Sequence, residues 1–400
     1  MIYVVLTVIA TGLALLIHNQ EYVSLKYDQG YGPGQYRPPC REQARNAVLE
    51  TAVYLLMAGV SACRIAVGND YWVYRDNFKL IAQGRHVSSE IGFNLVVKAF
   101  VEIFGYDRYL PIFGFFSLVT VFFFVRALHD QGRQFAFSLF LLFTEGFYFN
   151  SLNTVRYYLA LAMALFAMKF VLRRQWLNFL LFVMVGALFH KSILLVIPAY
   201  ALAYYLASVK MKKWHGIVGG LFLASLVFGQ ELYRKVIFMI YPFYENSQFD
   251  QSRISYKNVA LCLGTLLLCL IVWLSQRRQT VKERDAKAQT VIERTMKESA
   301  AMESESIPIS LRFYGVLNIF GLVAFCCGSF VPEVSRIGYY MMIAQVFLIP
   351  ELLEKIPGKW LRRLCTAGTL LAFSIHFVLL LKQMYLVDVR LLPYLNWIFN

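Results

Sequence analysis

Charge is scarce in this sequence of 400 residues: Asp, Glu, Lys and Arg make up only 16% of it, where a soluble domain carries roughly a quarter. With 58% hydrophobic residues and a mean hydropathy of +0.54, a soluble globular chain is excluded. The alternating segments of about 10 residues that mark a transmembrane β-barrel are also absent. Seven cysteines (Cys40, Cys63, Cys262, Cys269, Cys326, Cys327 and Cys365) lie scattered, mostly within apolar runs. They show no CxxC or Cys/His spacing, so neither a disulfide framework nor a metal site is read from them. No glycine-rich phosphate loop with a following lysine occurs, which removes the usual signature of a nucleotide-driven enzyme. The opening run IYVVLTVIATGLALLI has no basic leader and no small-residue cleavage site after it, so it reads as a membrane helix rather than a removed signal. No internal repeat or domain boundary is visible, and residues 1–400 read as a single integral membrane domain.

What the sequence has in abundance is apolar runs near the ~20 residues that a helix needs to cross hydrocarbon. They predict an all-α, polytopic membrane protein of about 12 spanning helices, within a range of 10–14. The spans fall near residues 1–17, 47–67, 109–127, 134–149, 154–172, 176–189, 191–209, 214–230, 256–275, 312–331, 337–354 and 364–386. Two shorter stretches, 91–104 and 232–243, are predicted to lie along the outer interface. With that alternation, 24 of the 39 lysines and arginines fall in one set of links, at 18–46, 126–133, 169–175, 210–213, 276–312 and 355–363. The positive-inside rule makes those links cytoplasmic and puts both termini outside. The net charge of +15 is then a matter of loops facing anionic lipid, not of nucleic acid. Residues 276–311 read as a solvated, charged cytoplasmic loop.

Polar residues that do not belong to the basic loops collect on the opposite face. Arg64, Asp70, Tyr71 and Tyr74 follow the second span, and Glu90, Gly92 and Phe93 open the first interfacial helix. Asn153 and Arg156 begin the fifth span, His190 lies in the turn between the sixth and seventh, and Arg336, Tyr339 and Tyr340 begin the eleventh. Each admits a plainer explanation. External arginines snorkel to lipid phosphates; His190 can be a helix-end histidine bonded to backbone; Asp70 follows Gly68 and Asn69 as a turn residue does. Tyr71, Trp72 and Tyr74 fit an interfacial aromatic belt, and Glu90 after two serines fits a helix-start signature. Their coincidence on one face is harder to explain singly, because ionisable groups at the membrane edge cost several kcal/mol unless paired.

The ordered pattern Arg64-x3-Gly68-x-Asp70-Tyr71-x2-Tyr74, Glu90-x-Gly92-Phe93, Asn153-x2-Arg156-x3-Ala160, Phe189-His190-x-Ser192 with Pro198, and Arg336-x2-Tyr339 resembles the EpsG family of bacterial exopolysaccharide proteins. That family is grouped with Wzy-type polymerases, and the similarity runs from about residue 60 to 345. Asn69 stands where the family often has Thr or Ser, and Tyr157 where it often has Gln.

The resemblance implies a fold like the GT-C-type membrane glycosyltransferases and a location in the bacterial inner membrane. It implies a polymerase that joins oligosaccharide repeat units carried on polyprenyl diphosphate at the outer leaflet, with lipid-linked donor and acceptor, membrane lipid and a chain-length regulator as partners. On that reading Arg156 and Arg336, with Arg64 as a third candidate, meet the diphosphate, since guanidinium forks match phosphate oxygens while staying charged. A carboxylate or neutral imidazole must accept the attacking hydroxyl's proton, and Asp70 and His190 are the candidates. Tyr71, Trp72 and Tyr74 offer flat faces to sugar rings, and Glu90, Asn153 and Tyr339 complete the substrate-binding set. No cofactor is required, because the donor's own diphosphate supplies activation, and no metal is assigned. A flippase for lipid-linked oligosaccharides and a membrane acyltransferase with His190 as base are the competing readings. The first should show two related halves broken near the midplane, and the second a cytoplasmic acyl-donor site; neither feature is visible.

Overall fold

The computed structural model of the chain describes residues 1–17, 40–105, 108–210, 212–240, 254–288, 308–328, 330, 334–386 and 389–398. Residues 18–39 of the first basic link, 289–307 of the charged loop and 241–243 at the end of the second interfacial stretch lie outside the described residues. The described residues are nearly all helical and cluster into two compact units, one formed by Met1–Leu194 with Ala367–Asn400 and the other by Leu195–Thr366.

In the first unit the elements run α1 (Ile2–Leu15), α2 (Cys40–Ala62), β1 (Arg64–Ile65), α3 (Tyr71–Ala82), α4 (Ile91–Phe104), α5 (Leu110–Gln131), α6 (Phe135–Thr144), α7 (Phe147–Asn150), α8 (Val155–Leu172) and α9 (Trp176–Ala187). Helix α1 packs on α2 and α6, α2 on α5, and α5 on α8, which in turn meets α9. The enclosed element is α8, whose Ala160, Ala162, Ala164 and Ala167 are fully buried. Small side chains let neighbouring backbones approach where lipid offers no hydrophobic drive to bring them together. Helix α4 begins at Glu90 and stops where Gly105 takes φ +90°. It buries Gly92, Phe93 and Val97 while Leu95 and Ile103 stay exposed, as an interfacial helix does.

A 3-10 turn (Lys191–Leu195) ends the first stretch of the first unit, and the second unit then runs α10 (Val196–Ser208), α11 (Lys213–Phe228), α12 (Gln230–Ile240), α13 (Tyr256–Ala288), α14 (Ile309–Cys327), α15 (Val334–Met342), α16 (Gln345–Glu354) and the start of α17 (Lys359–Gln383), which leads back to the first unit. Helix α14 packs on α10, α13, α15 and α16. Its fully buried Asn318 donates to the Cys262 carbonyl on α13 (3.1 Å) and accepts from Gln345 Nε2 on α16 (2.6 Å). Such cross-helix bonds fix register inside a membrane bundle.

Helices therefore fall where hydropathy puts them, but their lengths differ from the expectation. Among the described residues seven spans are long and apolar enough to cross a membrane, or eight if the bent pair α11–α12 counts as one. The run expected at 134–149 breaks after ten residues, because Gly146 adopts φ +87° and a Cβ there would lie 2.7 Å from Leu380. The expected spans at 1–17 and 176–189 are shorter apolar helices, and the one expected at 47–67 ends at Ala62, giving way to β1. The 80° bend between α11 and α12 sets the second short stretch apart from the helix before it. Substituting Ala164→Leu would overpack α8, and the thermal midpoint in detergent should fall, corresponding to about 1–3 kcal/mol; Leu181→Ala, at a site 59% exposed on α9, should leave it nearly unchanged.

Candidate functional site

The site is assembled around the loop from Cys63 to Asp70. Strand β1 pairs antiparallel with β2 (Leu395–Asn396), and the loop is tied further by Gly68 N–H to the Arg390 carbonyl (2.8 Å) and Asn69 N–H to the Val389 carbonyl (3.2 Å). Gly68 has φ +93°, and a Cβ on it would come within 2.8 Å of Asn153 Cα, so glycine is required both for the conformation and for the close approach. That approach lets Asp70 N–H donate to Asn153 Oδ1 (2.9 Å), while Thr154 Oγ1 donates to Asp70 Oδ2 (2.9 Å). Asp70 occupies the N-cap of α3 without a side-chain capping bond; its carboxylate is directed to Thr154 instead.

Glu90 stands likewise at the N-cap of α4 and makes no capping bond, which corrects the plainer reading of it as a cap. One carboxylate oxygen pairs with Arg156 Nη1, and the other accepts the Lys191 backbone N–H (3.2 Å). Arg156, the second residue of α8, lies 5.2 Å from the Phe93 ring centroid and 6.0 Å from that of Tyr74, within range of cation–π attraction. Its backbone N–H donates to Tyr74 Oη (3.4 Å). Burial pushes the Tyr74 phenol above its ordinary range, with Arg156 pulling the other way, and its neutral hydroxyl remains available as that acceptor. Gly92 brings the start of α4 onto the end of α9: its N–H donates to the Leu188 carbonyl (2.9 Å), and a Cβ would lie 2.7 Å from Leu188. His190 follows two residues later, its ring edge-on to Tyr157 at 5.5 Å, with Nδ1 2.7 Å from Ser192 Oγ and 3.4 Å from the Ser192 N–H.

The structure thus links Asp70, Asn153, Arg156, Tyr74 and Glu90, and through Lys191 it reaches the neighbour of His190. Arg64 and Tyr71 are each only 1% exposed. Arg64 donates to the Ser61 carbonyl and to Ser117 Oγ (2.8 Å) and lies 5.2 Å from the Phe113 ring, while Tyr71 stacks on that ring at 4.5 Å. Tyr74 is buried beside Phe78 and Phe93. Arg64, expected at a phosphate, and Tyr71 and Tyr74, expected to offer ring faces to a sugar, are thus packed against protein in the structure. Trp72 is the exposed aromatic of the segment, with Arg75 4.5 Å over its ring.

Arg336 and Tyr339 belong to the second unit, on α15. Gly338 between them packs on Phe325, whose ring a Cβ would meet at 2.7 Å, and Tyr339 Oη accepts from Asn258 Nδ2 (3.1 Å). Among the described residues no group of three His, Cys, Asp or Glu side chains is arranged to hold a metal. Asp70, Asp76 and Glu90 have separate partners: Thr154, Arg75 and Arg156.

Sequence reasoning passed over Thr154, Lys191 and the segment 389–396. Thr154 carried a signal, since a threonine directly before an apolar helical run marks a helix start; the other two are backbone contacts, which no side-chain pattern encodes. Introducing Gly68→Ala should strain the loop by about 1–2 kcal/mol and dislodge Asp70 from Asn153. The thermal midpoint in detergent should fall accordingly, with the protein still found in the membrane fraction by immunoblot.

The sequence model of the EpsG family matches residues 48–396, a range that contains every element of this site. No curated protein matches the chain, and no solved structure does. The match covers far more than half of the sequence, and the chain belongs to the EpsG family, polysaccharide-related proteins of the membrane.

Proposed function

We propose that this multi-pass membrane protein is a polysaccharide polymerase that joins polyprenyl-diphosphate-linked oligosaccharide repeat units at the outer face of the bacterial inner membrane. The observation that carries the reading is the linked set in the first unit: Asn153 accepts the Asp70 backbone N–H and Thr154 donates to the Asp70 carboxylate, and two residues after Thr154 stands an arginine packed against aromatic rings. Family membership supports the substrate class, a lipid-linked oligosaccharide.

Arg156 binds the diphosphate of the donor, where a guanidinium stays protonated in a partly apolar setting. Arg336, with Tyr339 on the same helix, is a phosphate-binding candidate of the second unit in its own right. Asp70 accepts the proton of the acceptor hydroxyl as its oxygen attacks the anomeric carbon; the bond from that carbon to the diphosphate breaks, and the diphosphate departs on its polyprenyl carrier. Thr154 bonds one carboxylate oxygen of Asp70 and leaves the other for the incoming hydroxyl. His190 is better suited to donate. The Ser192 N–H can only donate to Nδ1, so a neutral imidazole carries its proton on Nε2. Arg64, Tyr71 and Tyr74 act from behind, as the packed wall that holds Asp70 and Arg156.

Orientation is supported by the far end of the same helices. Lys169 near the end of α8 pairs with Asp130 at 2.7 Å, and Arg126 meets that acid as well at 3.2 Å. With Arg133, Arg173 and Arg174 they form the basic end that faces cytoplasm, about 24 Å of helix from Arg156. The site and both chain termini then face the periplasm.

Reconstitution of the purified protein with a defined lipid-linked repeat unit tests the reading. Longer lipid-linked glycans should accumulate, and Arg156→Ala or Arg336→Ala should reduce their formation at least 100-fold with membrane insertion intact. Asp70→Asn should abolish turnover while donor binding persists. Movement of the donor between leaflets without elongation would replace the polymerase with a transporter.

A further inference from the structure

We infer that Glu90 is an internal occupant of the phosphate site, a carboxylate that fills the Arg156 and Lys191 donors until a diphosphate displaces it. The inference rests on the proposed role of Arg156 and adds a competing anion to it.

Both oxygens of Glu90 are engaged, and by donors of types that also bind phosphate oxygens in proteins: a guanidinium N–H and a backbone N–H. The carboxylate reaches them from the start of α4 while leaving its own helix end uncapped. Capping with this side chain would contribute about 1 kcal/mol, and the geometry forgoes it in favour of the ion pair. Arg156 and Glu90 side chains are 21% and 13% exposed, so the pair is partly withdrawn from water, where an uncompensated arginine is costly. Arg156 Nε has no partner among the described residues and is buried: Glu90 neutralises the charge of the guanidinium without using all of its donors. A diphosphate brings more charge and more acceptor oxygens than one carboxylate, so it can take over Nη1 and Lys191 N–H and also engage donors that Glu90 leaves unused. A ligand with a single negative charge gains little over Glu90 and is rejected. The pair thereby keeps the arginine oriented on Phe93 and Tyr74 in the empty site and discriminates in favour of multiply charged headgroups.

The two roles open to Glu90 predict opposite signs. If it only positions Arg156, removing its charge weakens binding; if it competes for Arg156, removing its charge strengthens binding. The full-length protein in lipid nanodiscs is titrated calorimetrically with farnesyl diphosphate, with farnesyl monophosphate as comparison. Glu90→Gln, which keeps shape and acceptor oxygen, should bind farnesyl diphosphate about tenfold more tightly than the unmodified protein, and its preference for diphosphate over monophosphate should narrow. Glu90→Asp, which keeps the charge but shortens its reach, should tighten binding less and serves if the glutamine variant proves unstable. Weaker or unchanged binding in both variants, with the unmodified protein binding and Arg156→Ala not, overturns the internal-occupant role and leaves the diphosphate site standing. Absence of farnesyl diphosphate binding to the unmodified protein and to Glu90→Gln overturns both.

Discussion

An arginine in the first turn of the most enclosed helix of its unit needs a counter-charge, and this requirement organises the first unit. Arg156 sits where α8 enters the packed interior, so the surrounding elements have to deliver an acid, a ring face and backbone partners to one point. Glu90 arrives on α4, Phe93 arrives one turn further along the same helix, and Tyr74 arrives on α3. Two glycines permit the approach: Gly92 lets α4 abut the end of α9, and Gly68 lets the loop before α3 touch Asn153. A carbon atom at either position would separate groups that are stabilising only at contact distance, because charge pairing falls off with separation while desolvation is incurred regardless.

The second unit repeats one theme with different chemistry. Its enclosed span, Val334–Glu354, is likewise mostly buried, and Arg336 lies in its first turn as Arg156 lies in that of α8. Further along the span the neutral amides Asn318 and Gln345 bond across helices. Neutral polar pairs cost less to bury than charges and still specify which helix faces which. Charge in both units is thus kept to the ends of the enclosed helices and withheld from their middles.

The aromatic cluster shows how a sequence motif can be read for the wrong part of its work. Tyr71 and Tyr74 stand in the densest polar-aromatic segment of the chain and have shapes suited to sugar rings. In the structure their faces are spent on Phe113, Phe78 and Phe93, and Arg64 is spent on Ser61 and Ser117. These residues pack around the loop that carries Asp70, and composition cannot separate such packing from ligand contact because both use large amphipathic side chains near the membrane surface.

The sequence by itself determined that the chain is helical and membrane-embedded, where most of its helices lie, and which family it joins, since each of these follows from apolar runs and ordered motifs that are local or short-range. It also singled out Asp70, Asn153, Arg156 and Glu90, because charged and amide groups at the edge of apolar runs stand out against their surroundings. Only the tertiary structure decided that Glu90 pairs with Arg156 instead of capping its helix, that Thr154 orients Asp70, that the run at 134–149 breaks at Gly146, and that the segment 389–396 ties down the loop carrying Gly68. The physical reason is the same in each case. These outcomes turn on hydrogen bonds and steric approaches between residues far apart in the chain, about 84 positions for Thr154 and Asp70 and 322 for Gly68 and Arg390, and no local pattern records which distant partner a polar group will meet.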